Sequence, residues 1–197
     1  MLLSIGILLS YLVGSIPTAY IFGKVAKGID VRKHGSGNVG ATNAFRVLGA
    51  PIGITVLLID TLKGLVCVVY IADYCIKSGV RIDEVLLRII FAVAAVLGHS
   101  LTPFLKFRGG KGMSTTLGVL IGLAMKFSAL KIILFTELLL WLIVFLLSRI
   151  VSLASIVSAV FFPILFIVLK QPLPLILVSF ILSIFIIFRH NSNIYRL

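Results

Sequence analysis

Three short polar stretches interrupt an otherwise apolar sequence, and each gathers residue types suited to holding an anion. The first reads Gly35-Ser36-Gly37-Asn38-Val39-Gly40-Ala41-Thr42-Asn43, with Arg46 following at helical spacing from Thr42 and Asn43. Its glycines let backbone amides approach a ligand closely. Successive amides in such a turn form an anion-binding nest, and serine and asparagine add side-chain donors. The second stretch runs from Gly98-His99 to Phe107-Arg108-Gly109-Gly110-Lys111-Gly112. It joins flexible amides and a lysine to a helix start at Met113-Ser114-Thr115, whose dipole favours an anion. The third is His190-Asn191-Ser192-Asn193-Ile194-Tyr195-Arg196-Leu197. There Asn191 and Asn193 can hydrogen-bond hydroxyls or phosphate oxygens, and Arg196 can clamp phosphate in a fork. His190 suits orienting a substrate, moving a proton or capping the last helix.

Each stretch also has a plainer reading: a helix cap for the first, surface cations for Lys106 and Arg108, and a topological anchor for the His190–Arg196 cluster. Recurrence of one chemistry in all three favours a phosphate-handling site, provided that they meet at one membrane face. Several familiar chemistries are absent. A Walker A loop needs glycine five positions before Gly110, where Leu105 stands, and Ser or Thr after Lys111, where Gly112 stands. No histidine is followed five positions later by aspartate, since His34 gives Val39 and His99 gives Phe104. There is no Gly-x-Ser-x-Gly elbow and no Cys–His cluster at metal spacing. Nucleotide binding and a covalent acyl-enzyme are therefore disfavoured, and neither a cofactor nor a metal is expected.

The elements that position these stretches lie in a membrane. The 197 residues are 60% hydrophobic and 12% charged, with mean hydropathy +1.24, whereas soluble domains are nearer half apolar and a quarter charged. The length suits one helical domain over 1–197 around a single bundle core. No cleavable signal peptide is expected, because Met1 runs straight into Leu2-Leu3 without a basic region. The net charge of +12 falls between the apolar runs. That placement suits membrane topology and anionic substrates or lipids rather than nucleic acid. Cys67 and Cys75 match neither a zinc nor a redox spacing and read as packing residues.

Apolar runs occupy 2–22, 51–72, 85–102, 130–148, 150–169 and 173–188, each near the ~17–25 residues that a spanning helix needs. Met113 to Met125 is shorter and alone suggests a re-entrant or partly inserted helix. Counting it as a crossing gives seven. One side then carries Lys24, Lys27, Arg32, Lys33, Arg46, Lys106, Arg108, Lys111, Arg149, Arg189 and Arg196, against Lys77, Arg81, Lys126, Lys131 and Lys170 on the other. The bias places the N-terminus outside, the C-terminus in the cytoplasm and all three polar stretches on the cytoplasmic face. Asp60 and Lys63 sit mid-span on one helix face. An unpaired charge there costs about 2.5–3.5 kcal/mol, so they are expected to pair or to face a polar interior. Glu137 in the fifth helix is expected to find an interhelical partner.

In order and type the three stretches resemble the motifs of bacterial acyl-phosphate:glycerol-3-phosphate acyltransferases. Gly35-Ser36-x-Asn38-x-Gly40-x-x-Asn43 is similar to the first motif. Gly98-His99 with Phe104-Leu105-x-Phe107-x-Gly109-Gly110-Lys111-Gly112 is similar to the second, and His190-x-x-Asn193-Ile194-x-Arg196-Leu197 to the start of the third. The family pattern continues with Gly-x-Glu, for which this sequence, running to Leu197, has no counterpart. The resemblance implies an all-α inner-membrane enzyme of about seven helices. It would transfer a fatty acyl group from acyl phosphate to the position-1 hydroxyl of glycerol 3-phosphate, giving lysophosphatidic acid and inorganic phosphate. Ser36, Arg46, Lys111, Asn193 and Arg196 would hold phosphates, while Asn38 and Asn43 shape the first loop. Gly40 would line the substrates, and the Gly109, Gly110 and Gly112 amides with Lys111 would stabilise developing charge. His190 would orient the acceptor or act as base, unless a substrate phosphate oxygen takes the proton, and His99 would be structural. From the residues alone, a small anion transporter and a lipid-binding assembly factor remain alternatives. The one-sided clustering and the lack of an internal repeat favour the enzyme.

Overall fold

Residues 1–195 are described by the computed structural model, and among them the chain is all-helical. Five apolar helical segments are long enough to cross a membrane: Leu2–Lys27, Ala50–Lys77, Glu84–Leu105, Leu130–Ser148 and Val151–Val168. Two shorter apolar helices, Met113–Lys126 and Leu173–Arg189, complete the bundle.

The first segment is not continuous, in contrast to the single run expected over 2–22. It divides into α1 (Leu2–Ser15) and α2 (Thr18–Lys27), with Ile16 leaving the helical region at ψ 115°. Pro17 is the cause: it carries no N–H and pushes the preceding residue out of helical geometry. The carbonyls freed at the break need donors, because lipid supplies none. Thr102 Oγ1 donates to Ser15 O at 2.6 Å, and Ile16 O accepts from the Thr18 amide at 3.0 Å and from Lys63 Nζ. The next helices are α3 (Ala41–Leu48) and α4 (Ala50–Val66), the latter continuing through a π turn at Cys67–Ile71 into α5 (Ala72–Lys77). That turn widens the ladder and presents Val68 O to the guanidinium of Arg88, which also pairs with Asp73 and Glu84. Lys126 pairs with Asp73 beside it, so one polar clip ties this end of the bundle. Cys67 and Cys75 are both buried and free.

Glycine-lined crossings set the helices that follow: α6 (Glu84–Ser100) and α7 (Met113–Lys126). Gly6 faces Phe91, Gly14 faces Ala95, and Gly98 lies against the backbone of Tyr11, so α1 and α6 run parallel. Thr61 meets Gly118 and Leu65 meets Gly122, making α4 and α7 a second parallel pair. Small residues allow this backbone approach, which membrane helices use in place of a hydrophobic driving force. The outer helices are α8 (Leu130–Ser148), α9 (Val151–Val168) and α10 (Leu173–Arg189). They pack antiparallel in sequence, through Trp141 Nε1–H to Ser155 Oγ at 3.3 Å and through Ser183 Oγ–H to Ala159 O. Val96, Val119, Leu123, Phe162, Phe166 and Leu182 form the main core between α6, α7, α9 and α10. Glu137 of α8 is buried with Oε1 lacking a hydrogen bond, near the likewise unbonded hydroxyl of Ser158.

A methyl group on Gly118 would collide with the carbonyl of Thr61. Gly118→Ala is therefore expected to lower stability by about 1–3 kcal/mol. The check is the thermal midpoint in detergent, where an unchanged value would contradict the close α4–α7 crossing.

Candidate active site

The first polar stretch folds around one side chain. Asn43, buried on α3, accepts from the Ser36 amide through Oδ1 at 2.8 Å and donates through Nδ2 to Val31 O and His34 O, each at 3.1 Å. Gly35 sits at φ 60°, and a side chain there would strike Asn43 Oδ1. Both the positive φ and the close approach require glycine. Asn38 Oδ1 accepts from the Gly40 amide at 2.9 Å, which prepares the start of α3 at Ala41. Asp30 caps the preceding Val31–Lys33 turn. Hydrogen bonds from the Arg32 side chain lower its pKa to about 2, so the cap holds at neutral pH. Ser36, Thr42 and Arg46 remain on the exposed side of this scaffold.

The second stretch doubles back on the end of α6. The Phe107 amide donates to Thr102 O at 2.8 Å, Gly109 to Ser100 O at 3.0 Å and Gly110 to His99 O at 3.1 Å. The reversal runs through Lys106 and Phe107, two consecutive non-glycine residues at φ 54° and 60°, a conformation costing about 1–3 kcal/mol per residue. This corrects one expectation: the Gly109 and Gly110 amides are committed to holding the loop, so they do not serve as donors to a developing anion. Amides without an intrahelical acceptor lie one step on. Gly112, at φ 87°, starts α7, whose first amides have no acceptor within the helix and whose positive dipole end adds to them.

The third stretch meets the second directly. Lys111 Nζ donates to Asn193 Oδ1, where Asn193 lies on the short helix α11 (Asn191–Ile194). Arg189 binds the two together. Its Nη2 donates to Gly109 O at 3.0 Å and Gly110 O at 2.9 Å, with Ser100 O at 3.4 Å. The sequence marks Arg189 only as a topological charge; its place next to His190 at a helix end was the available signal. His190 ends α10 and begins α11, its carbonyl accepting from the Asn193 and Ile194 amides. Its side chain is 4% exposed, and Nδ1–H donates to Ile186 O at 2.8 Å. That bond leaves Nε2 as the acceptor. Burial lowers the His190 pKa to about 4; the Ile186 carbonyl opposes this, and the charges of Lys111 and Arg189 add to it.

The three stretches are thus gathered unequally. Hydrogen bonds join the second to the third, while apolar packing joins the first to the second, with Leu105 buried among Val39, Ala41, Ala44 and Leu48. Asp60 and Lys63 pair as expected, at 2.5 Å and both buried. Arg196 lies outside the described residues. Among those described, no cluster of three or more His, Cys, Asp or Glu side chains could hold a metal ion.

The family described as glycerol-3-phosphate acyltransferase matches residues 4–197. A glycerol-3-phosphate acyltransferase of Chlorobium chlorochromatii is 40% identical over 220 residues, covering 97% of this chain and 92% of that protein. Glycerol-3-phosphate acyltransferase 2 of Moorella thermoacetica is 40% identical over 193 residues, covering 98% and 92%. Among solved structures, the glycerol 3-phosphate form of PlsY (YgiH), an integral membrane glycerol 3-phosphate acyltransferase, superposes with TM-score 0.85 at 35% identity, covering 98% of this chain and 90% of that one. The lysophosphatidic acid form of PlsY superposes with TM-score 0.82 at 34% identity, with the same coverage.

A neutral, buried His190 makes stability depend on pH with a definite sign. Its folded pKa of about 4 lies below the ordinary ~6.5 of an exposed histidine. Between these values the unfolded chain binds more protons, so the stabilisation is present above pH ~6.5 and lost as pH falls through 4. The thermal midpoint of the wild-type protein should fall across that window more steeply than that of His190→Gln. Parallel curves would contradict the neutral buried imidazole.

Proposed function

This chain belongs to the glycerol-3-phosphate acyltransferase family, and on that basis we propose that it transfers a fatty acyl group from acyl phosphate to the position-1 hydroxyl of glycerol 3-phosphate. The observation that carries this reading is the joining of Lys111, Asn193 and His190 at one end of an apolar bundle, beside the exposed Ser36 and Arg46 of a preformed turn. Both substrates bear phosphate, so the site needs several cations and donors, and an acyl chain can remain in lipid while its head group reaches them.

The acceptor oxygen attacks the acyl carbonyl carbon, and the bond from that carbon to the phosphate oxygen breaks. Inorganic phosphate leaves, and lysophosphatidic acid remains. Acyl phosphate is already activated, so orientation can supply about 7–11 kcal/mol of the barrier lowering. Lys111, Asn193, Ser36, Arg46 and Arg196 hold the phosphates, and the first amides of α7 face the developing charge. A histidine with pKa about 4 is a weak base at neutral pH, whereas a phosphate oxygen with second pKa near ~6 is better matched to the proton. His190 therefore orients the acceptor hydroxyl through Nε2, and a substrate phosphate takes the proton. Gly109 and Gly110 contribute loop shape, as Asn38, Gly40 and Asn43 do for the first stretch.

The alternation of helix directions and the excess of Lys and Arg at the polar end support seven crossings of a bacterial inner membrane, with the site cytoplasmic and the N-terminus outside. The experiment is to incubate the protein in lipid with palmitoyl phosphate and glycerol 3-phosphate. Release of inorganic phosphate should require the acceptor and match lysophosphatidic acid formed, and Lys111→Ala should lose on the order of 10²-fold in turnover. No product from folded protein with acyl phosphate, together with product from acyl-CoA, would replace the proposed donor.

A further inference from the structure

Below the polar end lies a buried cluster that this chemistry does not use. Asp60, Lys63, Thr18 and His99 are 1%, 4%, 4% and 7% exposed, and ionisable groups at such depth in a membrane are costly enough to suggest a role. Asp60 Oδ1 accepts from Thr18 Oγ1 at 2.9 Å and from Lys63 Nζ at 2.5 Å. Neutralising Lys63 accounts for that much. Two features go further. Asp60 Oδ1 lies 3.8 Å from His99 Nδ1, a gap that a modest tilt of either side chain closes to a hydrogen bond, and Asp60 Oδ2 is buried with no partner. The opposite edge of the same imidazole meets the Lys111 loop: a methyl group added to Gly110 would fall on His99 Nε2, and one added to Gly109 on the His99 carbonyl. His99 O also holds the Gly110 amide.

We propose that Asp60 is a positioning residue: its carboxylate sets the orientation of His99, whose ring and carbonyl back the Gly109–Gly110 turn and so fix where Lys111 is presented. Arg189 holds the same turn from the other side through the Gly109 and Gly110 carbonyls. The turn is therefore clamped between a ring and a guanidinium, and Lys111 follows it directly. When one imidazole nitrogen bonds a carboxylate, the other is left as acceptor, which places unprotonated Nε2 against Gly110. The inference rests on the reading that Lys111 contacts substrate.

The test uses the full chain in lipid vesicles with palmitoyl phosphate and glycerol 3-phosphate. Asp60→Asn combined with Lys63→Gln removes both charges together, leaves no unpaired ion and keeps a side-chain donor for the Ile16 carbonyl that Lys63 meets. It should keep a thermal midpoint close to wild type, yet lose about ten- to a hundred-fold in kcat, the scale of a misplacement of about 1 Å, with KM for glycerol 3-phosphate nearly unchanged. His99→Phe should lose a similar factor, and the triple variant no more than His99→Phe alone. A folded double variant with wild-type kcat, or a triple variant whose losses multiply, overturns the proposal. Nitrogen-15 NMR of histidine-labelled wild-type protein, with His99 assigned through His99→Phe, tests it without relying on a folded double variant. Protonated Nδ1 with bare Nε2 is expected, and the reverse tautomer overturns it. Lys111→Ala with full turnover would remove the underlying reading. A loss in Lys111→Ala beside an unaffected double variant would overturn only the role of Asp60.

Discussion

A backbone broken inside a membrane must find its hydrogen-bond partners within the protein, and that constraint at Ser15–Pro17 organises much of this chain. The Ser15 carbonyl is met by Thr102 and the Ile16 carbonyl by Lys63. The end of α6 is tied in return, with Leu101 O accepting from the Tyr11 hydroxyl at 2.6 Å. Lys63, once buried, requires Asp60. The break thus fixes the height at which α1, α4 and α6 stand relative to one another, and with it the point from which the Lys111 loop departs.

Close packing makes that arrangement possible. The parallel pairs α1–α6 and α4–α7 approach backbone to backbone at Gly14, Gly98, Gly64 and Gly118. In such contacts a methyl group forces a shift of main chain rather than of a pliable side chain. Register between the paired helices is therefore set by shape, and polar groups spaced along them meet at defined heights. Asp60 reaching both Thr18 and the vicinity of His99 is one result.

The sequence made the membrane class, the apolar runs and the three polar stretches legible, because composition and hydrophobic length are local properties. It made the Asp60–Lys63 pair legible for the same reason, since i and i+3 share a helix face. Other features depend on residues distant in sequence. Pro17 stood inside a run long enough to read as one helix, and the side-chain donors that Thr102 and Lys63 bring to the break lie far along the chain. The Gly109-Gly110 amides read locally as a nest, yet the loop folds back so that His99 and Ser100 take them. Arg189 reads as a charge at the membrane surface until three carbonyls from another loop are found at its guanidinium.

The break in the first helix also bears on the order of synthesis. The side-chain donors for its two freed carbonyls lie 47 and 87 positions later in the chain. When α1 and α2 first emerge from the ribosome, neither side chain has been made, so the first segment cannot reach its final hydrogen bonding alone. The Ile16 carbonyl has the Thr18 amide at 3.0 Å from the start, while the Ser15 carbonyl waits for Thr102. The first half of the protein is, in this sense, a unit of assembly whose earliest part is finished last.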